Sequence, residues 1–289
     1  MEVSKFPFWI SPLLAVVLYS AFLWLEHRRP LRRSVESKLT RNLRNLTVAA
    51  LGVVAVQLAE LPIVMPLAAL VEQKKWGLVN LAGFPVWAEV AVAFVLLDYT
   101  LYVWHVLTHR VPWLWRFHVV HHADLDMDAS TALRFHFGEL IISVPWRAGQ
   151  IFLIGVSPLS FVIWQALLFA MILFHHSNVR LPIGMERRLN LLIVTPRMHG
   201  IHHSIVREET DSNWSSALTL WDWLHGTLRL NVPQEEIAIG VPDYRIPQET
   251  SLLKLLKLPF TKQRPSWQLP GGGRPARPES PVTKNRLAA

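Results

Sequence analysis

The chain contains no cysteine. Disulfides, iron–sulfur clusters and thiolate metal sites are therefore excluded, and any metal must be held by nitrogen and oxygen. Charge is scarce as well: 17% of the 289 residues are Asp, Glu, Lys or Arg against 51% hydrophobic, and the mean hydropathy is +0.27. That balance is too apolar for an ordinary soluble domain of this length and points to a bilayer as solvent. Thirteen tryptophans fit, since indole rings favour the headgroup interface. An HExxH box, a GxSxG elbow, a phosphate-binding glycine loop and a flavin or nicotinamide fingerprint are all missing. The net charge is +8 and the isoelectric point about 10.1. The basic residues flank apolar runs and form no aromatic-interleaved stripe, so they read as attraction to anionic lipid and not to nucleic acid.

What the chain does have is a series of long apolar runs. FWISPLLAVVLYSAFLWL (8–25) lacks a basic region before it and a small-residue cleavage site after it, and reads as a retained span rather than a signal peptide. It is followed by EHRRPLRRSVESKLTRNLR, with seven Lys or Arg against two Glu. By the positive-inside rule that loop is cytoplasmic. The runs 46–70 and 81–107 are each long enough for about 30 Å of hydrocarbon at 1.5 Å per residue. The run 139–174 exceeds one crossing and is broken near Gly155, Ser157 and Pro158, which predicts a hairpin of two helices.

These runs define an all-α, polytopic membrane fold of a multi-pass integral protein. Counting crossings from the basic loop puts His105, His109, His175 and His176 in one compartment, the cytoplasm, with Met1 outside and Ala289 inside. Glu60 reads as a boundary residue, and Arg147, costly in lipid, as facing protein, water or a headgroup. SLLKLLKLPF (251–260) has the spacing of a short basic amphipathic helix, which lies on a membrane surface or else serves as a partner-binding or core helix. From Lys262 onward the Pro/Gly/Arg-rich sequence lacks the apolar content to fold. The expected organisation is N-terminal spans over 1–90, a histidine-bearing domain over 91–232, a C-terminal segment over 233–260 and a disordered tail over 261–289.

Eleven of the thirteen histidines fall between 105 and 203, most of them in tight boxes. These are HVLTH (His105, His109), HVVHH (His118, His121, His122) and HGIHH (His199, His202, His203). Spacings of three and four residues share a helical face, so each box can present two or three imidazoles to one point. Neutral imidazole ligates zinc, copper, iron and nickel, and eight of them exceed what one four-coordinate ion can use. Two metal ions follow. A solvated histidine tract is usually of low complexity, whereas these boxes are interleaved with Trp, Phe, Val and Leu and lie far apart. A bis-histidine haem protein leaves most of them idle. His27 and His225 read as ordinary core or interface residues.

The pattern closely resembles the fatty acid hydroxylase and sterol desaturase superfamily, in which a two-histidine box is followed by HxxHH and a distant HxxHH. The likeness spans roughly 95–230 and extends to DYTLYVWHVLTHR, LWRFHVVHHAD, RFHFGE, HHSNV, TPRMHGIHHS, DSNW and WDWLHGT, as in bacterial members. His225 departs from the aromatic residue usual in WDxxxGT. The resemblance implies that the eight box histidines ligate two iron ions and that His176 is a ninth ligand. His175, its neighbour, points about 100° away on a helix. His136 is implied as a ligand or as a group beside the site. Acidic residues near the boxes are candidates to accept the second N–H of a ligating imidazole. Asp98, two helical turns before His105, is the leading one, and Asp124, Glu139, Asp211 and Asp222 are less constrained.

As implied, the reaction is dioxygen-dependent hydroxylation or desaturation of a lipid, an acyl chain or sterol, at the cytoplasmic face of a bacterial inner membrane. Electrons would come from a ferredoxin or small cytochrome with its reductase, because the chain has no redox-nucleotide site of its own. A membrane metal transporter is the rival reading, but it predicts ligands near midplane, whereas these lie at span ends. A structural-zinc membrane protein is the other.

Overall fold

The computed structural model describes residues 10–277. Residues 1–9 and 278–289, with the expected start of the first span and both termini, lie outside the described residues. Among the described residues every regular element is helical. A helix α1 (Ile10–Arg28) covers most of the first expected span, and a short loop leads to α2 (Lys38–Ala55). Pro62 lacks the N–H that would close an α-helical bond, and just before it the ladder widens into a π turn, Val56–Glu60, before α3 (Leu61–Lys74). A four-residue α4 (Leu78–Leu81) precedes α5 (Val86–Arg110) and α6 (Pro112–His122).

The predicted hairpin is present as α7 (Phe137–Ile154) and α8 (Pro158–His176), turned by Gly155 at φ 87° and opened by a Ser157 cap. A Cβ on Gly77 would lie 2.2 Å from Gly155 N, so the α3–α4 turn and the hairpin turn meet backbone to backbone. The remaining helices are short: α9 (Ile183–Leu189), α10 (Pro196–His202), α11 (Arg207–Thr210), α12 (Leu220–Leu224) and α13 (Leu252–Lys257).

Among the described residues four segments are long and apolar enough to cross a membrane: Lys38–Leu81, Val86–Arg110, Phe137–Ile154 and Pro158–His176. Only 22–33% of each apolar window is buried within the protein. Leu58, Leu81, Trp87 and Leu153, all more than 60% exposed, face outward. Lipid is the solvent that such a surface requires, and the chain is an integral membrane protein. Inside, Val64, Ala68, Leu97, Ile151, Phe161 and Trp164 form a core that ties α3, α5, α7 and α8 together.

Two expectations change. The second long helix starts at Lys38, well before the apolar run at residue 46, because its first turns are gripped by protein. Arg41, Arg44 and Asn45 reach Asp124, with Arg41 Nη1 at 3.0 Å and Asn45 Nδ2 at 2.9 Å. The tail expected to be disordered is packed over 262–277. Trp267 stacks on Trp115 at 5.5 Å, Arg264 pairs with Asp243 at 2.9 Å and Glu249 at 3.0 Å, and Arg277 pairs with Glu209 at 2.6 Å. Its few anchors are aromatic and guanidinium groups, which a count of apolar residues misses. The segment 251–260 packs against α2 and α6 through buried Leu255 and Pro259, with Leu253 and Phe260 exposed.

Candidate metal centre

The last two turns of α5, the last turn of α6, the end of α8 and the whole of α10 meet at one end of the bundle. There the histidine nitrogens divide into two groups of four. His105, His109, His122 and His202 form one, and His121, His176, His199 and His203 the other. The ligating atoms within each group lie within 4.8 Å of one another. The sequence suggested that each box presents its imidazoles to one point. The structure keeps the first box, His105 and His109, together and splits the other two, since His121 and His122 are consecutive on α6 and project toward different groups, as do His202 and His203. A rotation of 100° per residue makes that division unavoidable.

In the second group the Nε2 atoms converge: His176 lies 3.1 Å from His121 and 3.0 Å from His199, and His199 lies 3.2 Å from His203. Nitrogens about 2.0–2.1 Å from one ion stand about 3.0–3.4 Å apart, depending on geometry. In the first group His109, His122 and His202 have buried Nε2 atoms with no hydrogen-bond partner. Buried polar atoms without partners are costly, and imidazole lone pairs aimed at a common point are what a divalent transition metal satisfies. The donor set, all imidazole nitrogen, suits iron and equally zinc.

Orientation comes largely from the backbone. His105 Nδ1 donates to Trp214 O at 2.7 Å, His202 Nδ1 to Ser212 O at 2.8 Å and His176 Nδ1 to Ile172 O at 2.8 Å. Each bond fixes the proton on Nδ1 and leaves Nε2 free to ligate. The carbonyls are held in turn by Asp222, which accepts from Trp214 N and Ser215 N, and by Asn213, which spans Met198 O and Arg229. Asp98 does not touch a histidine. Its Oδ2 accepts from Leu218 N at 3.0 Å and Trp221 Nε1 at 2.7 Å, pinning the same segment from below. Backbone acceptors leave no letter in a sequence; the DSNW and WDWLHGT motifs were their only trace.

His118 stands outside both groups and between them, with ring centroids 4.8 Å from His109 and 5.3 Å from His121. Its Nδ1 lies 2.8 Å from Glu139 Oε1, and its Nε2 is buried and bare. His136 is not part of the centre: it caps α7 by accepting from Gly138 N, and its Nε2 meets Leu256 O. His175 packs against His199 at 4.1 Å but joins neither group. Asp124 neutralises arginines, and Asp211 pairs with Arg110 and Arg207. His225 lies flat on Tyr102 at 5.0 Å and on Tyr99 at 5.8 Å, so an imidazole does the work of the aromatic ring.

Burial, and after it the surrounding imidazoles, hold His121, His122, His199 and His203 well below the usual histidine range. His202 is lowered to about 3, chiefly by burial and against its bond to Ser212. The imidazoles are neutral at physiological pH and their lone pairs are available. A cavity of about 230 Å³ runs from His105, His118, His121 and His199 between α5, α7 and α8, past Leu101, Leu140 and Leu168.

Comparison with known proteins gives one family. Residues 90–227 match the model described as fatty acid hydroxylase. Among similar proteins, an ornithine lipid hydroxylase of Rhizobium tropici is 34% identical over 159 residues, 55% of this chain and 47% of that protein. A cholesterol 25-hydroxylase-like protein of Danio rerio is 31% identical over 145 residues, 50% of this chain and 56% of that one. The human alkylglycerol monooxygenase is 29% identical over 156 residues, 52% of this chain and 32% of its own. The chain thus spans between about a third and just over half the length of these relatives. No solved structure matches it.

Proposed function

Residues 90–227 match the fatty acid hydroxylase family, and from that premise we propose that the chain is a non-haem diiron oxygenase that hydroxylates a membrane lipid. The observation that carries the reading is the pair of four-histidine groups side by side at the end of the spans, opening onto an apolar-walled cavity. The similar proteins are named for oxidising lipids, which supports a lipid substrate, an acyl chain or sterol. His105, His109, His122 and His202 hold one ion and His121, His176, His199 and His203 the other. His118, oriented by Glu139, is a ninth ligand. Bound iron would supply one-electron redox chemistry and activation of dioxygen.

The chain's own residues then have defined tasks. Trp214 O, Ser212 O and Ile172 O keep protons on Nδ1 of His105, His202 and His176, so that Nε2 remains a base toward metal. Phe135, stacked on His121 at 4.4 Å, and Trp214, 4.6 Å from His109, wall off water. The cavity between α5, α7 and α8 admits a chain from the bilayer. Electrons come from a separate ferredoxin or small cytochrome with its reductase, and the centre faces the cytoplasm of a bacterial cell, where the basic loop after α1 also lies.

Protein loaded with two iron ions, given a reducing partner and bilayer lipid, consumes dioxygen and yields a lipid heavier by one oxygen atom. Labelled dioxygen, not labelled water, supplies that atom. Alanine at any histidine of either group abolishes turnover and lowers bound iron. Full activity with zinc as the only metal, or without oxygen, overturns the proposal.

A further inference from the structure

Arg147 sits in the membrane-spanning α7, eight residues beyond Glu139, or about 12 Å along the helix at 1.5 Å per residue. It lines the far end of the cavity whose near end is the histidines. Its guanidinium lies over the Trp164 ring at 4.7 Å, and its Nε stands 3.8 Å from Glu60 Oε1, which the π turn carries inward. That separation is too long for a hydrogen bond. Arg147 Nε and Nη1, and the indole N–H groups of neighbouring Trp146 and Trp164, are buried with no acceptor. Four donors without acceptors inside a membrane protein are expensive. Glu60 already balances the charge, so what the site lacks is an acceptor and not an anion.

We propose that this end of the cavity binds a hydroxyl or carbonyl oxygen of the lipid, and that Arg147 is the residue that receives it. The inference rests on the lipid-oxidising reading above and adds a ruler to it. With the oxygen fixed at Arg147, the carbon presented to the histidines is set by its distance along the chain from that oxygen.

The test uses metal-loaded protein in alkyl maltoside micelles, titrated with hexadecan-1-ol and with hexadecane and followed by the change in intrinsic tryptophan fluorescence, to which Trp104 in the cavity wall and Trp146 and Trp164 beside Arg147 contribute. The wild type binds the alcohol at least ten-fold more tightly than the alkane. In the double variant Glu60→Met with Arg147→Met both ligands bind with the wild-type affinity for the alkane. Removing the pair together avoids leaving one charge buried alone. Arg147→Lys keeps the charge pair and loses the fork of donors, and lowers the preference at least three-fold. Equal binding of both probes by the wild type, a preference that survives in the double variant, or an undiminished preference in Arg147→Lys overturns the site. Since binding is read without turnover, that failure is distinct from a failure to consume dioxygen.

Discussion

Asp124 follows the second histidine box by two residues and sits between three guanidinium groups. Arg41 lies at 3.0 Å, Arg134 at 3.3 Å and Arg44 at 3.6 Å, all essentially buried. Burial alone would raise its pKa, but the three arginines outweigh that and hold it at about 2. Its stabilising effect is therefore complete above the ordinary aspartate range and lost as pH falls through about 2. At neutral pH, Asp124→Ala leaves buried Arg134 without a counter-charge, while Arg41 keeps Asp128 and Arg44 keeps Glu36, and should cost about 3–5 kcal/mol. Chemical denaturation of the purified protein measures it, and a cost below about 1 kcal/mol would refute this role. At this scale the sequence was partly legible. The box histidines stood out because nothing bland places so many imidazoles at such spacing. Their division was not legible, since spacing shows which imidazoles share a helical face, whereas which group each member of an HH doublet joins depends on how the helices pack. The orienting acceptors of His105 and His202 are main-chain atoms, and no residue type announces them.

The helix α10 shows what holds an element that could not hold itself. Seven residues are too few for a stable helix, yet Met198, His199, Gly200, Ile201 and His202 are all buried. Asn213 ties down Met198 O, Glu186 accepts from Arg197, and Arg32 from the loop after α1 donates to Pro196 O at 3.0 Å and to Gln234. Arg32 lies so close over Gly200 that a Cβ there would fall 1.7 Å from its Nη2. Gly200→Ala must therefore dislodge Arg32, at about 1–3 kcal/mol for an overfilled site. Because α10 and its cap serve both groups, metal per chain should fall in both together, as elemental analysis and thermal melting would report. A variant with full metal and unchanged melting would rule out this anchoring role. From sequence, the long apolar helices and the hairpin break at Gly155 were readable through length and hydropathy. The start of α2 at Lys38 and the packed segment 262–277 were not, because arginine and tryptophan anchors carry no periodicity.

For the whole molecule, the crossing order proposed from the basic loop puts Gly83, before α5, on one side and Arg187, beside the histidine end, on the other. The chain has no cysteine of its own, so a single engineered thiol reports its side without background. Gly83→Cys should react with an impermeant maleimide added to intact cells, and Arg187→Cys only after permeabilisation. Both positions lie on exposed surface in the fold. Labelling of Arg187→Cys in intact cells would reverse the orientation.

The division of the boxes bears finally on how the protein is made. The first group waits for His202 and the second for His199 and His203, although most of their other members lie 80 or more residues earlier. During synthesis, then, neither group can close until the ribosome has passed residue 203 and every crossing helix has been threaded. On the proposed assignment of these groups, metal loading follows insertion. A chain truncated before residue 199 would be delivered to the membrane with both groups unfinished and neither able to hold the ion proposed for it.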